Sequence, residues 1–323
     1  MSEQYRVNPG AVDLKSFAAD IEINARQLQR APRDDSQLNK VVRPSLTYWQ
    51  DAWYKLRHNP VATVGLCLLI IYVFLAIFAP ILSQYDFGQQ NAAAKNLKPC
   101  AEHIFGTDAA GRDLWVRNWM GARVSLTIGL VVVLINTAIG IIVGGVSGYF
   151  GGKVDMIIMR VIDVLYGIPT IILAILLMVV MGAGISSLIV AMVCVGWISS
   201  ARLVRGQVLQ LKNMEYVMAA RTLGASDRRI IFRHMIPNIS GIIITNMTMA
   251  IPNAIFTEAF LSYIGIGVQA PNCSWGSLAQ AASMVYKLYP YQLIIPAFFI
   301  CTTMLSLNML GDGLRDALDP KMH

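Results

Sequence analysis

The apolar residues of this chain lie in continuous blocks of roughly 20 residues, and this feature limits its fold most strongly. A helix rises 1.5 Å per residue, so about 20 residues cross the roughly 30 Å hydrocarbon core of a bilayer. A helix also satisfies its own backbone hydrogen bonds in lipid. The sequence therefore predicts an all-α, polytopic membrane protein with six transmembrane helices, at 61–82, 124–147, 161–182, 185–204, 239–264 and 291–311.

The composition agrees with this assignment. The 323 residues are 55% hydrophobic and only 14% charged, whereas soluble domains carry about a quarter charged residues. The mean hydropathy is +0.54. Residues 1–44 are polar and of mixed charge, without the early apolar segment of a signal peptide. We therefore expect the first apolar block to be retained as a span.

The basic residues predict the orientation. Of the 26 Lys and Arg, 19 fall in the segments that six spans would place on one side, together with both termini, and Arg202 lies at the same end of the fourth span. The opposite side holds six. Lys and Arg favour the cytoplasmic side. Residues 1–44 and 312–323 are therefore predicted to be cytoplasmic tails. Residues 83–123 are predicted to form an external loop, and residues 124–311 a five-helix core.

Residues 45–60 differ from the tail that precedes them. Trp49, Trp53 and Leu56 recur at helical spacing beside Lys55 and Arg57. Aromatic and basic residues in this pattern are typical of an amphipathic helix at the membrane interface. The alternative is a simple basic flank to the first span.

Small residues recur in the second span and just beyond it. Four glycines, each four positions apart, would form one stripe on a helix and let another helix approach closely. The third and fourth spans are separated only by 183–184, which predicts a tight helical hairpin. The glycines of the stripe are Gly140, Gly144, Gly148 and Gly152.

The five cysteines show no CxxC or metal-binding spacing, so no metal site is predicted. Three of them lie inside apolar blocks and are interpreted as small hydrophobic residues. Cys100 and Cys273 lie in polar loops on the same predicted side, so a disulfide between them stays open.

The sequence disfavours an enzyme and a channel. A serine motif at 145–148 resembles that of intramembrane proteases, but no histidine lies within a span to act as its base. The segment 148–153 lacks the first Gly and the final Ser or Thr of a phosphate loop. No loop resembles a selectivity filter. We therefore predict no catalytic residues and no nucleotide site in this chain.

The predicted cytoplasmic loop 205–237 holds the strongest helix signals outside the spans. Asn213 and Ser226 are candidate N-caps, Gly224 permits a sharp turn, and Pro237 ends the segment. The pattern predicts two short helices joined at the glycine, with small alanines that fit a groove of another protein. A solvated loop without a partner is the alternative.

Polar residues inside the fifth span are candidates for a substrate pathway. Glu258 is an ionisable group within the span and should face protein or water rather than lipid. Asn246 and Asn253 share this span. A structural polar network is the alternative. At the start of the third span, Asp163 follows Asp155 and Arg160, which suggests either an Asp–Arg bond or a gate contact.

The cytoplasmic loop resembles a known motif. Ala219-Ala220-x3-Gly224, with Pro237 following, is similar to the EAA loop of bacterial ABC importer permeases. The resemblance implies that the loop docks on an ATP-hydrolysing subunit, although Met218 stands where the family has Glu. The ATPase-docking residues that it implies are Glu215, Met218, Ala219, Ala220, Leu223, Gly224, Ala225 and Ser226.

Other segments resemble the C-type permeases of dipeptide and oligopeptide systems. These are 49–60, 105–113, 261–267, 274–276 and 311–320. The resemblance implies a type I importer (MetI-like) fold in the bacterial plasma (inner) membrane. It also implies peptide uptake, with nickel or glutathione as alternative substrates.

The same resemblance implies the partners of the chain. They are a homologous second permease subunit, one or two cytoplasmic ABC ATPase subunits, an extracytoplasmic peptide-binding protein and membrane lipid. No nucleic acid is expected. The chain itself would bind no cofactor, because ATP and Mg would be used by the ATPase subunits.

Overall fold

A computed structural model describes residues 47–318 of the chain. The predicted tail 1–44 and the last residues of the tail 312–323 lie outside this range. The helices of the described part are α1 Tyr48–His58, α2 Pro60–Leu82, α3 Leu114–Phe150, α4 Gly152–Tyr166, α5 Thr170–Met181, α6 Ile185–Leu211, α7 Glu215–Thr222, α8 Asp227–Asn238, α9 Ser240–Tyr263, α10 Trp275–Ser283 and α11 Tyr291–Leu318.

Four of these helices, α2, α3, α6 and α11, are each long and apolar enough to cross a membrane. Two bent pairs pass the same test, α4 with α5 at 82° and α8 with α9 at 68°, which gives up to six spans. The third span, predicted as one continuous helix at 161–182, is broken at 167–169. Pro169 explains the break, because the residue before a proline is driven out of the helical conformation.

Several helices are longer than the apolar blocks that predict them. Helix α3 begins at Leu114, inside the predicted external loop 83–123. Helix α6 ends at Leu211, and α11 continues to Leu318, through most of the predicted tail 312–323. Hydropathy marks the part of a helix that lies in hydrocarbon, whereas capping and tertiary contacts decide where the helix ends.

Glycines bring α3 and α6 into close contact. A Cβ at Gly140 would overlap Ser200 of α6, and one at Gly144 would overlap the Ala201 carbonyl oxygen. One at Gly148 would lie 2.8 Å from the Arg205 carbonyl oxygen. Gly152 does not belong to this contact. It begins α4 with a φ of +53°, and a Cβ there would meet no atom within 4 Å. The stripe ends because α3 ends at Phe150.

The segment before α3 is organised by its own side chains. The Asp113 carboxylate accepts a hydrogen bond from the Val116 amide at 2.9 Å and so caps α3. His103 Nδ1 lies 2.7 Å from the other oxygen of Asp113. Gly106 and Gly111 have positive φ, and a Cβ at Gly111 would overlap the Asn91 backbone. The motif at 105–113 is thus held in place by contacts within the segment that precedes α3.

The disulfide that was left open between Cys100 and Cys273 is absent. Both are free thiols; Cys100 is exposed, and Cys273 is fully buried. The Cys273 thiol lies 3.4 Å from the Arg117 carbonyl oxygen, and burial raises its pKa. A disulfide would require this buried thiol to leave its site.

Helix α1 packs on the ends of two spans. Ala52 and Leu56 are buried against Ala62 of α2 and Leu318 of α11. Trp49 and Trp53 remain exposed on the opposite face. The amphipathic pattern at 45–60 therefore gives a helix with one packed face, and its location at the membrane interface stays a prediction.

Candidate functional site

Helices α7 and α8 and the turn 223–226 form a compact unit at the end of α6, which we call the docking surface. Val217 of α7 and Ile230 and Met235 of α8 are fully buried. They pack in one hydrophobic cluster with Val204 and Val208 of α6, and Tyr149 and Ile243 belong to the same cluster. The docking surface is therefore fixed to α3, α6 and α9 by side-chain packing.

Gly224 makes the sharp turn between the two short helices. Its φ is +79°, a conformation that L-residues with a side chain rarely adopt. The Ala225 amide donates to the Ala220 carbonyl at 3.1 Å and closes the turn. A Cβ at Gly224 would meet no atom within 4 Å, so only the backbone conformation requires glycine here.

The structure divides the predicted docking residues into two groups. The exposed group faces away from the cluster, and Leu223 in it is 87% exposed. Ala220 and Ala225 are half-buried and pack against the chain's own cluster, so they do not offer a free face. The exposed group consists of Glu215, Met218, Ala219, Leu223, Gly224 and Ser226.

Two details of the loop differ from the sequence prediction. Met214, not Asn213, is the N-cap of α7, and it has no side-chain cap. Ser226 is the N-cap of the second helix, but its side chain makes no capping bond. Sequence reasoning also missed Val217, the main anchor of α7. Its only signal was an aliphatic residue between polar neighbours, which does not reveal a tertiary contact.

Polar contacts connect the docking surface to α3. The Tyr149 hydroxyl donates to Asp227 Oδ1 at 2.6 Å. The Arg221 guanidinium lies over the Tyr149 ring, 5.3 Å from its centroid. Tyr149 is in the last turn of α3 and thereby contacts both short helices.

The acidic residues of α4 are paired with α6. Asp163 accepts a hydrogen bond from Arg202 at 2.8 Å, and Asp155 is bound by Arg205. The Asp–Arg bond considered from the sequence therefore exists, but its basic partners come from α6 rather than from Arg160.

A cavity of about 330 Å³ lies among α3, α5, α6 and α9. Asn246 and Asn253, the predicted pathway residues of the fifth span, both line it, and Asn253 is exposed. The apolar part of the cavity wall includes Met192, Val195 and Met249. The polar lining residues are Asn136, Thr137, Thr170, Ser199, Ser200, Asn246, Asn253 and Thr257.

Glu258 does not line this cavity. It is fully buried and accepts hydrogen bonds from Ser125 at 2.7 Å and Ser262 at 2.8 Å. The same hydroxyls accept from the backbone amides of Trp275 and Val268. This position supports the alternative, a structural network that joins α3, α9 and the segment leading to α10. A pathway role of Glu258 stays a prediction.

Comparison with known proteins places these features in a family. The model for the "binding-protein-dependent transport system inner membrane component" matches residues 117–323, which contain the docking surface and the cavity. The chain belongs to this family. The N-terminal transmembrane domain of oligopeptide transport permease C matches residues 47–99 of the permease, which contain α1 and α2.

Individual relatives match the permease over most of their length. The oligopeptide transport system permease protein OppC of Bacillus subtilis is 47% identical over 301 residues, 93% of this chain and 99% of the relative. The dipeptide transport system permease protein DppC of the same species is 49% identical over 288 residues, which are 89% of this chain and 90% of the relative. The oligopeptide transport system permease protein OppC of Haemophilus influenzae is 40% identical over 275 residues, which are 84% of this chain and 88% of the relative.

Family membership settles the class of the protein. It is an all-α, multi-pass membrane permease subunit of an ABC importer and not an enzyme. The expectations drawn from the EAA-type loop and from the other resembling segments agree with this class.

Proposed function

We propose that this chain forms, with a homologous second permease subunit, the pathway of an ATP-driven peptide importer. The observation that carries the proposal is the docking surface, which exposes Met218 and Leu223 while Val217 fixes it to the spans. Exposed apolar side chains on a rigid support are typical of an interaction site. The relatives named as oligopeptide and dipeptide permeases supply the substrate class.

Cytoplasmic ABC ATPase subunits dock on the exposed residues of α7 and the turn. ATP and Mg are bound by those subunits, and an extracytoplasmic binding protein delivers the peptide. Movement of the ATPases reaches α3, α6 and α9 through the Val217 cluster and the Tyr149–Asp227 hydrogen bond. These three helices also line the cavity, so docking and pathway share the same elements.

Reconstitution tests this function. The permease, its partner subunits and the binding protein are assembled in liposomes, and uptake of labelled trialanine is measured with ATP inside. We expect ATP-dependent peptide uptake that neither nickel nor glutathione inhibits. Uptake of nickel or glutathione in place of peptide would assign the alternative substrates.

We further propose that the protein lies in the bacterial plasma membrane with both termini cytoplasmic. The asymmetry of the basic residues supports this orientation. Single cysteines at Leu223 and Lys95, both exposed, in a cysteine-free background provide the test. An impermeant reagent added to intact cells should label position 95 and spare position 223. The reverse pattern would overturn the orientation.

A further inference from the structure

The described lining of the cavity combines an apolar wall with polar groups, and none of these residues carries a formal charge. Its polar groups are the side-chain amides of Asn136, Asn246 and Asn253 and the hydroxyls of serines and threonines. None of the lining residues is Asp, Glu, Lys, Arg or His. A side-chain amide offers two N–H donors and a carbonyl acceptor, which are the groups that a peptide bond requires.

Asn136 is the most informative member of this lining. It is only 8% exposed, and its Oδ1 has no hydrogen-bond partner in the described part of the chain. Its amide nitrogen lies against Gly196 of α6, where a Cβ would overlap it. A buried acceptor without a partner is unfavourable until a donor reaches it. The glycine therefore makes room for this amide, and within the described residues its Oδ1 is left for a donor supplied by water or by a ligand in the cavity.

Helix α9 adds a row of polar groups along the same cavity. Asn246, Asn253 and Thr257 are separated by seven and four residues, so they share one face of the helix. The two asparagines lie about 10 Å apart along the helix axis. An extended chain advances about 3.3 Å per residue, so this distance corresponds to about three residues of a peptide.

The Asn246 and Asn253 amides point to the same ligand chemistry as Asn136. No hydrogen bond occupies their side-chain nitrogen or oxygen atoms within the described residues, although both side chains line the cavity. An ionised ligand group would be better served by a charged partner. Neutral amides suit the N–H and C=O groups that every peptide repeats.

We propose that this cavity recognises the main chain of a peptide in transit through the amides of Asn136, Asn246 and Asn253 and does not select among side-chain charges. The inference rests on the proposed function and names the chemistry of the contact. The permease then adds no charge preference to that of the binding protein. Its pathway accepts acidic, basic and neutral peptides at similar rates.

Introduction of one charge tests this inference. Asn253→Asp places a carboxylate at an exposed position of the lining. Uptake of Ala-Lys-Ala and Ala-Glu-Ala is measured in the reconstituted complex, and the ratio of their rates is compared with wild type. We expect the ratio to rise at least about fivefold, because opposite charges attract strongly where water is restricted. The same binding protein is used with wild type and variant, so its own preference for one of the two peptides cancels when the two ratios are compared.

Asn238→Asp is the matched control, because Asn238 is exposed at the end of α8, outside the cavity. Its ratio should equal that of wild type. An unchanged ratio in Asn253→Asp, with normal trialanine uptake, would overturn the inference and leave the proposed function intact. Failure of the wild-type complex to transport any of the three peptides would instead refute the proposed function.

Asn136 is tested with an altered peptide backbone. Uptake of trialanine is compared with uptake of its analogues in which an ester replaces one or the other of its two peptide bonds, at saturating binding protein. We expect the wild-type complex to transport one of these esters several-fold more slowly, because that ester lacks the N–H that Asn136 Oδ1 would accept. Asn136→Leu should remove this difference. An equal difference in wild type and Asn136→Leu would exclude Asn136 as the contact.

Discussion

Arg205 of α6 binds Asp155 of α4 at two points, with Nε 2.5 Å from Oδ1 and Nη2 2.6 Å from Oδ2. Ser147 of α3 donates a third hydrogen bond to Oδ1 at 2.5 Å. The Asp155 side chain is 17% exposed, so this ion pair is largely shielded from water. One carboxylate therefore connects three helices next to the docking surface.

The first prediction concerns this pair. Arg205→Lys keeps the positive charge but cannot form the planar two-point contact. We expect it to destabilise the permease by about 1.5–3 kcal/mol, the typical contribution of a hydrogen bond to a charged group. Thermal unfolding in detergent provides the measurement. The control is Arg228→Lys, because Arg228 is exposed and forms no ion pair in the described part. Equal stability of the two variants would contradict the prediction.

The second prediction concerns the turn of the docking surface. Leu223 is 87% exposed, so Leu223→Asp should leave folding unchanged while placing a charge in an apolar interface. We expect loss of ATPase copurification and of peptide-stimulated ATP hydrolysis. Leu223→Met, which keeps the contact apolar, should behave like wild type. Normal coupling in Leu223→Asp would show that the ATPase binds elsewhere.

The third prediction compares two neighbouring glycines. A Cβ at Gly144 would overlap the Ala201 carbonyl oxygen, whereas one at Gly145 would lie 3.4 Å from Ile231 at its nearest. Gly144→Ala should therefore separate α3 from α6 and cost about 1–3 kcal/mol. Gly145→Ala should be neutral or slightly stabilising, since alanine favours helix. The measurement is the thermal unfolding midpoint of each purified variant, which should be lower for Gly144→Ala than for Gly145→Ala. Equal midpoints would refute the close contact between α3 and α6.

The fourth prediction concerns Glu258. Replacement of its carboxylate by an apolar group would leave two serine hydroxyls without a buried acceptor, at a cost of about 1–3 kcal/mol for each of them. We expect Glu258→Leu to reduce the yield of folded permease. Glu258→Gln, which retains an acceptor of similar shape, should transport peptide normally. Normal folding of both variants, with peptide transport abolished, would instead assign Glu258 to the substrate pathway.

Periodicity and hydropathy predicted most of the fold. The six apolar blocks all fall on helices, and the Gly140–Gly148 stripe lies where α3 meets α6. The stripe failed at Gly152 because a spacing rule holds only within one helix. Pro169 within the third predicted span indicated the break. The apolar block is nevertheless long enough for one span, so hydropathy alone predicted a continuous helix.

The functional residues were less predictable because their roles depend on contacts between distant segments. Glu258 is paired with Ser125, which is 133 positions away, and its spacing in α9 does not reveal this partner. The place of Asn136 in the cavity depends on Gly196, which is 60 positions away and leaves space for its amide. In the cytoplasmic loop, the turn at Gly224 was predictable, but the inward direction of Ala220 follows from Val217 and its cluster.

Helix α3 runs without a break for 37 residues, from the Asp113 cap to the last turn at Tyr149. Its length is about 55 Å, so one continuous helix connects the folded segment around Asp113 with the docking surface. A tilt of about 10° about one end of such a helix displaces the other end by about 10 Å. The two faces of the membrane are thus mechanically joined by a single piece of secondary structure.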